Sequence, residues 1–428
     1  MTELRVELYE QHVGTLIGER DRFDFEVAPS AIDQYSLASP ILSFAVPLTS
    51  SPRPELVDRR RNFFEEILAE GVARRSLAAN ARLDESNTMG LLRRYGRDVA
   101  GAVQVWDPSD PVEPRIPSFE PITAARVREI FAEVRTAPIG NISVRRMSSL
   151  AGVQDKIVLA RVDGQWAEPL DGYPSTHILK PVVPRYPTLI FDEEYGSRIA
   201  RHLGLASFDT HLEAFDGVTA LVIQRYDRVA GRRIHQEDFN QILGLRGDEK
   251  YEKGGRPSLA SIAQVLRENI GTEAVESLLR MTTMSVAVGN LDLHAKNVSV
   301  LHLPDEQVRL APAYDVVPQM HLPLDPDFAF AINGRFAHSD ITREDLVAEG
   351  QSWGVRRARM IVDDAIQKVS EFVADERPAA GAHHALVTDI IGFTRNLMDG
   401  RGASADSAAA APRPLRGSEG GWGGPIRP

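Results

Sequence analysis

The feature that most limits the fold of this chain is a change in its hydrophobic period near residue 257. Before that point the sequence contains short alternating or apolar runs between turn-formers, which predict β-strands. Beyond it, apolar residues recur at helical spacing over Leu259–Glu268, Thr272–Val288, Val355–Val373 and a segment near His384–Met398. The sequence therefore predicts an α+β protein with a β-rich N-terminal module and a helical C-terminal lobe.

The first 115 residues are expected to form the β-rich module. Residues 1–48 contain runs that are typical of short strands, the last of them at 39–48. Helical period then extends over 55–75, and a second helix is expected at Thr88–Tyr95 before a closing strand. The proline-rich segment 107–121 indicates the boundary at the end of this module.

The rest of the chain is expected to form a strand-rich lobe at 116–240, a helical lobe at 241–400 and a tail at 401–428. The strand-rich lobe contains one prominent predicted helix, Asp192–Leu203, which Asp192 would cap. An Asp-Gly pair at 216–217 between two apolar runs predicts a hairpin. The tail is rich in Ala, Pro, Gly and Ser and is expected to be disordered, because it has little apolar surface to bury.

Composition excludes several classes of protein. The chain has no cysteine, which removes disulfides, thiol nucleophiles and cysteine-ligated metal sites. A formal net charge of −11 argues against a broad electrostatic grip on nucleic acid. The N-terminus is acidic, and no stretch is apolar for long enough to be a signal peptide or a membrane span. We therefore expect a cytoplasmic protein.

The segment from Asp292 to Asn297 has the strongest catalytic signal. An Asp followed five residues later by an Asn is the spacing of a protein-kinase catalytic loop, in which the Asp accepts a hydroxyl proton and the Asn binds magnesium. The segment follows the apolar run MTTMSVAV and precedes the alternating run VSVLHL, as a catalytic loop between helix and strand would. The alternative is a polar, capped loop without catalytic function.

Two further residues fit the same chemistry. Asp315 follows a short strand and could be a second magnesium ligand, because Mg²⁺ prefers carboxylate oxygens; the alternative is a turn-forming Asp. Lys180 ends an apolar strand and could bind phosphates, or it could simply be solvated. Glu194 on the following helix could orient Lys180, or could instead pair with Arg198 one turn away.

A loop of small residues at 148–156, SSLAGVQDK, precedes a predicted strand. Small residues allow backbone amides to approach phosphate oxygens, although a loop with one glycine is also an ordinary connection. The chain contains no G-x-x-x-x-G-K-[ST], H-E-x-x-H or G-x-S-x-G motif. Phosphate-loop NTPases, zincin metalloproteases and α/β-hydrolases are therefore not indicated.

Taken in order, these segments resemble the HipA family of serine/threonine kinases, the toxins of bacterial toxin–antitoxin pairs. The resemblance is carried by SSLAGVQDK (148–156), THILKP (176–181), DEEY (192–195), QRYDR (224–228), HQEDFNQ (235–241), KYEKGG (250–255), DLHAKN (292–297) and AYD (313–315). It is extended to the N-terminal module by LLRRYGRDVAGAVQV (91–105). The resemblance implies a bilobal, protein-kinase-like fold.

The resemblance also implies residue roles. Asp292 would be the general base, and Asn297 and Asp315 would hold Mg²⁺. ATP would be bound by the phosphate loop, by Lys180, by hinge backbone groups of Glu237 to Phe239 and by the catalytic segment. The residues are Ala151, Gly152, Val153, Gln154, Asp155, Lys156, Lys180, Glu237, Asp238, Phe239, His294, Ala295, Lys296, Asn297, Tyr314 and Asp315. Ser149, or the adjacent Ser148, matches the serine that HipA-like kinases autophosphorylate.

The partners that the resemblance implies are a small helix-turn-helix antitoxin similar to HipB, operator DNA bound through that complex, and an aminoacyl-tRNA synthetase as substrate. Two other functions stay open. A small-molecule phosphotransferase would use the same catalytic residues, although the HQEDFNQ and KYEKGG segments weigh against it. A catalytically inactive corepressor could keep the fold, but the presence of Asp292, Asn297, Asp315 and Lys180 weighs against that.

Overall fold

The computed structural model describes residues 1–114, 116–136, 156–252, 254, 256–323 and 325–406. An antiparallel four-stranded sheet of order β3-β2-β1-β4 forms the centre of the N-terminal module. Its strands are β1 (Thr2–Leu8), β2 (Gln11–Glu19), β3 (Arg22–Val27) and β4 (Val103–Trp106). The alternating residues Leu4, Val6 and Leu8 of β1 are buried, as a sheet with one face in the core requires.

Four helices lie between β3 and β4 in the sequence and pack beside this sheet. They are α1 (Pro29–Tyr35), α2 (Val57–Glu66), α3 (Gly71–Asn80) and α4 (Thr88–Tyr95). The structure has α4 where the sequence predicts it. The single helix predicted at 55–75 is wrong, because α2 and α3 are separate helices. The strand predicted at 39–48 is also wrong: this buried segment is irregular, and its apolar run reflects burial, which does not by itself specify strand pairing.

The middle of the chain forms a six-stranded antiparallel sheet of order β5-β7-β6-β8-β10-β9. Its strands are β5 (Ser118–Pro121), β6 (Ile157–Val162), β7 (Gln165–Leu170), β8 (His177–Pro181), β9 (Thr210–Phe215) and β10 (Val218–Gln224). The hairpin predicted at Asp216-Gly217 is present, and both turn residues have positive φ, 46° and 86°. Two helices lie beside the sheet, α5 (Ala124–Thr136) and α6 (Leu189–His202).

Helix α6 begins earlier than the sequence indicates. It starts at Leu189 and has Thr188 at its N-cap, so the expected cap at Asp192 is wrong. Asp192 is instead fully buried in the first turn, where its Oδ1 accepts a hydrogen bond from the backbone N–H of His383. Aspartate often caps helices, but here its carboxylate accepts a hydrogen bond from a segment that is distant in sequence.

Short strands connect the sheet to the helical lobe: β11 (Arg228–Val229), β12 (Arg232–Arg233), β13 (His235–Asp238), β14 (Ser299–His302) and β15 (Val308–Leu310). Helix α7 (Phe239–Leu243) follows β13. The antiparallel pair β13 and β14 aligns Asp238 with Ser299. This pairing brings the segment after the six-stranded sheet next to the segment that contains Asn297.

The C-terminal lobe is helical around one large apolar core. Its helices are α8 (Leu259–Asn269), α9 (Thr272–Val288), α10 (Arg343–Ser352), α11 (Ala358–Asp375) and α12 (Leu386–Met398), with a hairpin of β16 (Asp327–Ile332) and β17 (Arg335–Ala337). Helix α9 has the bounds that the sequence predicts. In the part of the chain that the structure describes, no helix is long and apolar enough to span a membrane.

The boundary predicted for the tail, at residue 401, lies too early. Ala403 is fully buried and Ser404 is nearly so. The Ala403 N–H donates to the Ile341 carbonyl at 3.0 Å, and its own carbonyl accepts from Asn396 Nδ2 at 3.0 Å. Residues 401–406 therefore belong to the helical lobe, and the rest of the predicted tail, 407–428, lies outside the described residues.

Candidate active site

A cavity of about 400 Å³ lies where the N-terminal module, the six-stranded sheet and the helical lobe meet. Its walls include Lys180, Asp292, Asn297 and Asp315, together with Glu66, Ile67 and Glu70 of the module. The volume falls within the range of about 300–1,000 Å³ that is usual for small-molecule sites. The structure thus brings together the catalytic candidates from three distant segments of the sequence.

Lys180 is the central cation of this cavity. It is the penultimate residue of β8, where it pairs in register with Leu221 of β10, and it is 6% exposed. Its Nζ lies 2.7 Å from Glu193 Oε1 and 2.6 Å from Asp315 Oδ1. Burial alone would lower the pKa of Lys180, but Asp315 and Glu193 outweigh it and raise that pKa. Lys180 is therefore held charged at the position from which a strand lysine can reach phosphates.

Of the two roles that the sequence leaves open for Glu194, the structure shows the pairing with Arg198 and not the one with Lys180. The partner on α6 is Glu193, whereas Glu194 accepts from Arg198 Nε at 2.9 Å, one turn along the same helix. Consecutive helical residues point about 100° apart, so only one of the two glutamates can face β8. Burial raises the pKa of Glu193 to about 7, although Lys180 opposes the shift.

Asp315 lies opposite Lys180 in a left-handed backbone conformation with φ 56°. Helix α6 approaches the next residue closely: a Cβ on Gly196 would lie 2.1 Å from the Val316 carbonyl oxygen. Burial would raise the pKa of Asp315, but Lys180 outweighs it and holds that pKa at about 2. The Asp315 carboxylate is thus ionised at neutral pH and supplies oxygen atoms of the kind that Mg²⁺ binds.

The segment from Asp292 to Asn297 follows α9, whose C-cap is Gly289 with φ 72°. Asn297 donates from Nδ2 to the Asp292 carbonyl oxygen at 2.8 Å, which fixes the orientation of the amide. The Tyr251 hydroxyl donates to Asp292 Oδ1 at 3.1 Å. Burial raises the pKa of Asp292 to about 7, against the influence of Lys250. Such a carboxylate is suited to accept a proton near neutral pH.

The residues between Asp292 and Asn297 contribute unequally. His294 lies in the cavity wall, and burial lowers its pKa to about 3, which leaves the ring neutral. Lys296 also lies in the wall, but its Nζ is 2.7 Å from Glu66 Oε2 of the N-terminal module. Ala295 is fully buried in the core and is not part of the wall, so the structure gives it a packing role.

Of the three expected hinge residues, only Asp238 lines the cavity. Gln236, two residues earlier on β13, also lines it. The Glu237 side chain turns to the N-terminal module, where it accepts from Ser43 Oγ at 2.7 Å. The Phe239 N–H donates to the Val298 carbonyl, and its side chain lies in the core of the helical lobe. Glu237 and Asp238 are successive residues of β13 and therefore face opposite sides, whereas Phe239 is the first residue of α7.

Asp238 and Tyr314 complete this end of the cavity. Burial raises the pKa of Asp238 to about 7, and its carboxylate accepts from the Gln241 N–H in a capping box that begins α7. The Tyr314 hydroxyl donates to the Lys296 carbonyl at 2.6 Å, and its ring centroid lies 5.6 Å from that of Tyr226. The two rings, tilted by 31° to each other, offer apolar aromatic surface beside polar groups, as a nucleobase requires.

The predicted phosphate loop lies mostly outside the described residues: Ser148, Ser149, Ala151, Gly152, Val153, Gln154 and Asp155 are not described. Lys156, at its end, is described and lines the cavity. Burial lowers the pKa of Lys156 to about 8, with a further contribution from nearby Lys180.

Several cavity residues carry no role in the sequence-based prediction. Lys250 and Tyr251 lie in the KYEKGG segment, which marks the family resemblance without an assigned function. Glu66 and Glu70 lie at the end of α2 and just beyond it, in a region with no catalytic motif. The buried charges of Glu66 and Glu70 could not be recognised from the sequence, because their partners are some 180 or more residues away.

Comparison with known proteins identifies both halves of the chain. Residues 4–106 match the family described as HipA N-terminal domain, and residues 148–373 match the HipA-like C-terminal domain. "Putative kinase Y4mE" of Sinorhizobium fredii is 32% identical over 354 residues, which are 77% of this chain and 84% of the relative. The "Serine/threonine-protein kinase toxin HipA" of Shewanella oneidensis is 27% identical over 70% of this chain and 72% of the relative.

A solved structure has the same fold. It is described as the Shewanella oneidensis MR-1 toxin–antitoxin system HipA, HipB and its operator DNA complex, and the matched chain superposes with a TM-score of 0.73. The match covers 92% of this chain and 99% of the other at 23% identity. The bilobal, kinase-like α+β architecture expected from the sequence is thereby confirmed.

Proposed function

The chain belongs to the HipA family, and we propose that it is an ATP- and magnesium-dependent serine/threonine protein kinase that acts as a toxin. The observation that carries the proposal is the convergence of Asp292, Asn297, Lys180 and Asp315 on one cavity of about 400 Å³. Relatives named as kinases share most of the chain's length, which supports the same class of activity.

The chemistry assigned to these residues is phosphoryl transfer. The hydroxyl oxygen of the acceptor forms a bond to the γ-phosphorus of ATP, the bond to the β-phosphate oxygen breaks, and the hydroxyl proton passes to Asp292. With a pKa of about 7, Asp292 is substantially ionised at neutral pH and accepts the proton more readily than an ordinary aspartate. When the nucleotide binds, the Lys180 ammonium would leave the Asp315 carboxylate and pair with the phosphates.

Asn297 and Asp315 would hold the magnesium ions. The residues fit the ion, because Asp315 is ionised and Asn297, with its Nδ2 committed to the Asp292 carbonyl, keeps its amide oxygen for a ligand. Bound Mg²⁺ would neutralise charge on the phosphates during transfer. Adenine would lie near Gln236, Asp238, Tyr226 and Tyr314.

The direct test is transfer of labelled γ-phosphate from Mg-ATP by the wild type and by Asp292→Ala. The variant should lose about 10²–10⁴-fold in rate, the usual contribution of a positioned general base, while its affinity for ATP changes little. Asp364→Ala is a matched control, because Asp364 pairs with Lys368 on α11. Undiminished transfer by Asp292→Ala would contradict the assignment. A panel of small-molecule acceptors beside native proteins tests the phosphotransferase alternative.

We propose further that the kinase inactivates itself at Ser149 or Ser148. A phosphate adds about −1.5 to −2 charges to the segment that ends at Lys156, and Lys156 lines the cavity that contains Asp292 and Asp315. Mass spectrometry after incubation with Mg-ATP should find phosphate at one of the two serines in the wild type and none in Asp292→Ala. An enzyme that phosphorylates other proteins but neither serine would contradict this proposal.

The proposed partners follow from the family. The matched solved structure is a complex with HipB and operator DNA, which supports a helix-turn-helix antitoxin here, with DNA bound through it. An aminoacyl-tRNA synthetase is the proposed substrate class.

Expression of the protein should arrest growth, and co-expression of a neighbouring helix-turn-helix protein should relieve the arrest. Equal arrest by Asp292→Ala would show that toxicity is not kinase activity, and phosphoproteomics of the two strains would identify the substrate.

A further inference from the structure

Phosphoryl transfer requires cations on more than one side of the phosphate, because charge spreads over its oxygens in the transition state. On the sheet side of the cavity, Lys156 and Lys180 meet this need. On the side of the catalytic segment, the lysine within that segment pairs with a carboxylate that two other protein groups also bind. Lys296 donates to Glu66, which also accepts from Asn240 Nδ2 and the Gly247 N–H.

Lys250 is a further cation on this side. It ends a single turn of 3₁₀-helix at Gly247–Lys250, is 5% exposed, and lies in the cavity wall. The next residue, Tyr251, donates its hydroxyl hydrogen to Asp292 Oδ1 at 3.1 Å. Lys250 is thus the sequence neighbour of a residue that hydrogen-bonds to the proposed catalytic base.

The N-terminal module holds Lys250 in place. Its Nζ donates to Glu70 Oε1 at 3.0 Å, and Glu70 lies just before α3. Within the described part of the chain this is its one hydrogen-bond acceptor, although an ammonium has three N–H donors. Lys250 therefore retains donors that can meet an anion in the cavity.

A purely structural ion pair between module and lobe is the simpler explanation for Glu70 and Lys250. That explanation accounts for Lys296 and Glu66, whose side chains are 5% and 7% exposed and whose hydrogen bonds are with protein groups. It accounts less well for Glu70, whose side chain is 20% exposed and lines the cavity. A pair placed at the wall of an active site, with spare donors, is suited to change partner when a phosphate enters.

We propose that Lys250 is a further active-site residue that donates a hydrogen bond to the transferring phosphoryl group, with Glu70 of the N-terminal module as its positioning residue. The assignment rests on the proposed kinase activity. It makes the module a component of the catalytic site: the carboxylate of Glu70 holds the ammonium until the phosphoryl group, as it moves to the acceptor oxygen, takes over the hydrogen bond.

The test uses the full-length chain in four variants: Lys250→Met, Lys250→Arg, Glu70→Gln and the control Lys368→Met, which removes a lysine paired with Asp364 at 3.0 Å on α11. Each is assayed for kcat with Mg-ATP, for affinity to Mg-ADP, and for affinity to Mg-ADP with aluminium fluoride. The last probe resembles the phosphoryl group in transfer, so it reports contacts that the ground state lacks.

Lys250→Met should lower kcat by about 10²-fold and weaken the aluminium fluoride complex by a similar factor, while Mg-ADP affinity changes by less than about threefold. Lys250→Arg should recover most of the loss because it keeps the charge. Glu70→Gln should show a smaller fall in kcat, about tenfold, with the same pattern. Lys368→Met should match the wild type.

Two results would overturn the assignment in an active enzyme. Lys250→Met could keep kcat and the aluminium fluoride affinity. Alternatively, Lys250→Met could lower kcat, Mg-ADP affinity and melting temperature together, and Lys250→Arg could fail to restore them. That result would assign the Lys250–Glu70 pair a role in folding instead of catalysis. A wild type that binds Mg-ADP but transfers no phosphate would contradict the proposed function, and the assignment with it.

Discussion

Among single residues, Glu193 decides how the central lysine is held. It lies 2.7 Å from Lys180 and is 1% exposed, whereas the adjacent Glu194 pairs with Arg198 one turn along α6. Both glutamates are plausible partners in the sequence. Only the rotation of α6 against β8 distinguishes them, and the two can therefore serve as a matched pair of variants.

Glu193→Gln should reduce phosphoryl transfer by about 10–100-fold, because Lys180 loses the carboxylate that positions it between helix and phosphates. Glu194→Gln should stay within about threefold of the wild type, since Glu194 pairs with Arg198 one turn along the same helix and lies outside the described cavity wall. Steady-state kinetics with Mg-ATP measures both. An equal loss in the two variants would contradict the assignment of Glu193.

Among the structural elements, α6 controls the site through one close contact. Gly196 lies one turn beyond Glu193 and packs against the Val316 carbonyl, directly after Asp315. A helix with a side chain at this position could not approach the segment so closely. The absence of a Cβ therefore sets the distance between the helix that carries Glu193 and the loop that carries Asp315.

Gly196→Ala should destabilise the protein by about 1–3 kcal/mol and lower its activity at least tenfold, because the new methyl group displaces the Asp315 loop. The control is Gly392→Ala in α12, where a Cβ meets no atom within 4 Å. That variant should be neutral or more stable by about 0.5–1 kcal/mol, since alanine favours a helix over glycine. Thermal unfolding and kinetics together compare the two, and a Gly196→Ala protein as active as the wild type would refute the argument.

Across the whole molecule, a buried charge network joins the N-terminal module to the kinase-like part. Asp98, near the end of the module, is 1% exposed and accepts from Arg228 Nη2 at 3.0 Å and from the Ser175 N–H at 3.2 Å. Arg228 and Arg225 also pair with Asp227, which lines the cavity. The module is thus docked through charges that extend to the active-site wall.

Asp98→Asn should destabilise the protein by about 3–5 kcal/mol at neutral pH, because it leaves Arg228 buried beside a neutral amide. Burial would raise the pKa of Asp98, but Arg228 and Arg225 outweigh it and lower that pKa below 3.8. A lowered folded-state pKa stabilises the fold above pH 4, and this contribution is lost as the pH falls below that value. Denaturant unfolding should show a weaker acid dependence in Asp98→Asn than in the wild type.

The C-terminal boundary gives another prediction for the whole chain. A protein that ends at Asp406 should keep the melting temperature and activity of the full chain. One that ends at Gly402 should lose about 1–3 kcal/mol, because it removes buried Ala403 and leaves the Ile341 carbonyl and Asn396 Nδ2 without their partner. Equal stability of the two truncations would show that residues 403–406 contribute nothing to the lobe.

Local patterns determined much of this architecture. The hairpin at Asp216-Gly217 and helix Thr272–Val288 follow from turn chemistry and apolar period, which depend on neighbouring residues alone. The spacing of Asp292 and Asn297 likewise fits within one loop, where the Asn amide can reach the Asp carbonyl. Lys180 and Asp315 could be predicted as site residues because a lysine can bind phosphates and an aspartate can bind Mg²⁺. The structure places their side chains together in the cavity.

Only the tertiary structure decided which partner each charge found. Asp192 became a buried acceptor instead of a cap, Glu193 rather than Glu194 reached Lys180, and Glu70 joined Lys250 across 180 positions of sequence. Helical period fixes which residues share a face, but not which face meets another element. That choice is made when whole elements pack, because burying an unpaired charge costs more than any local preference can supply.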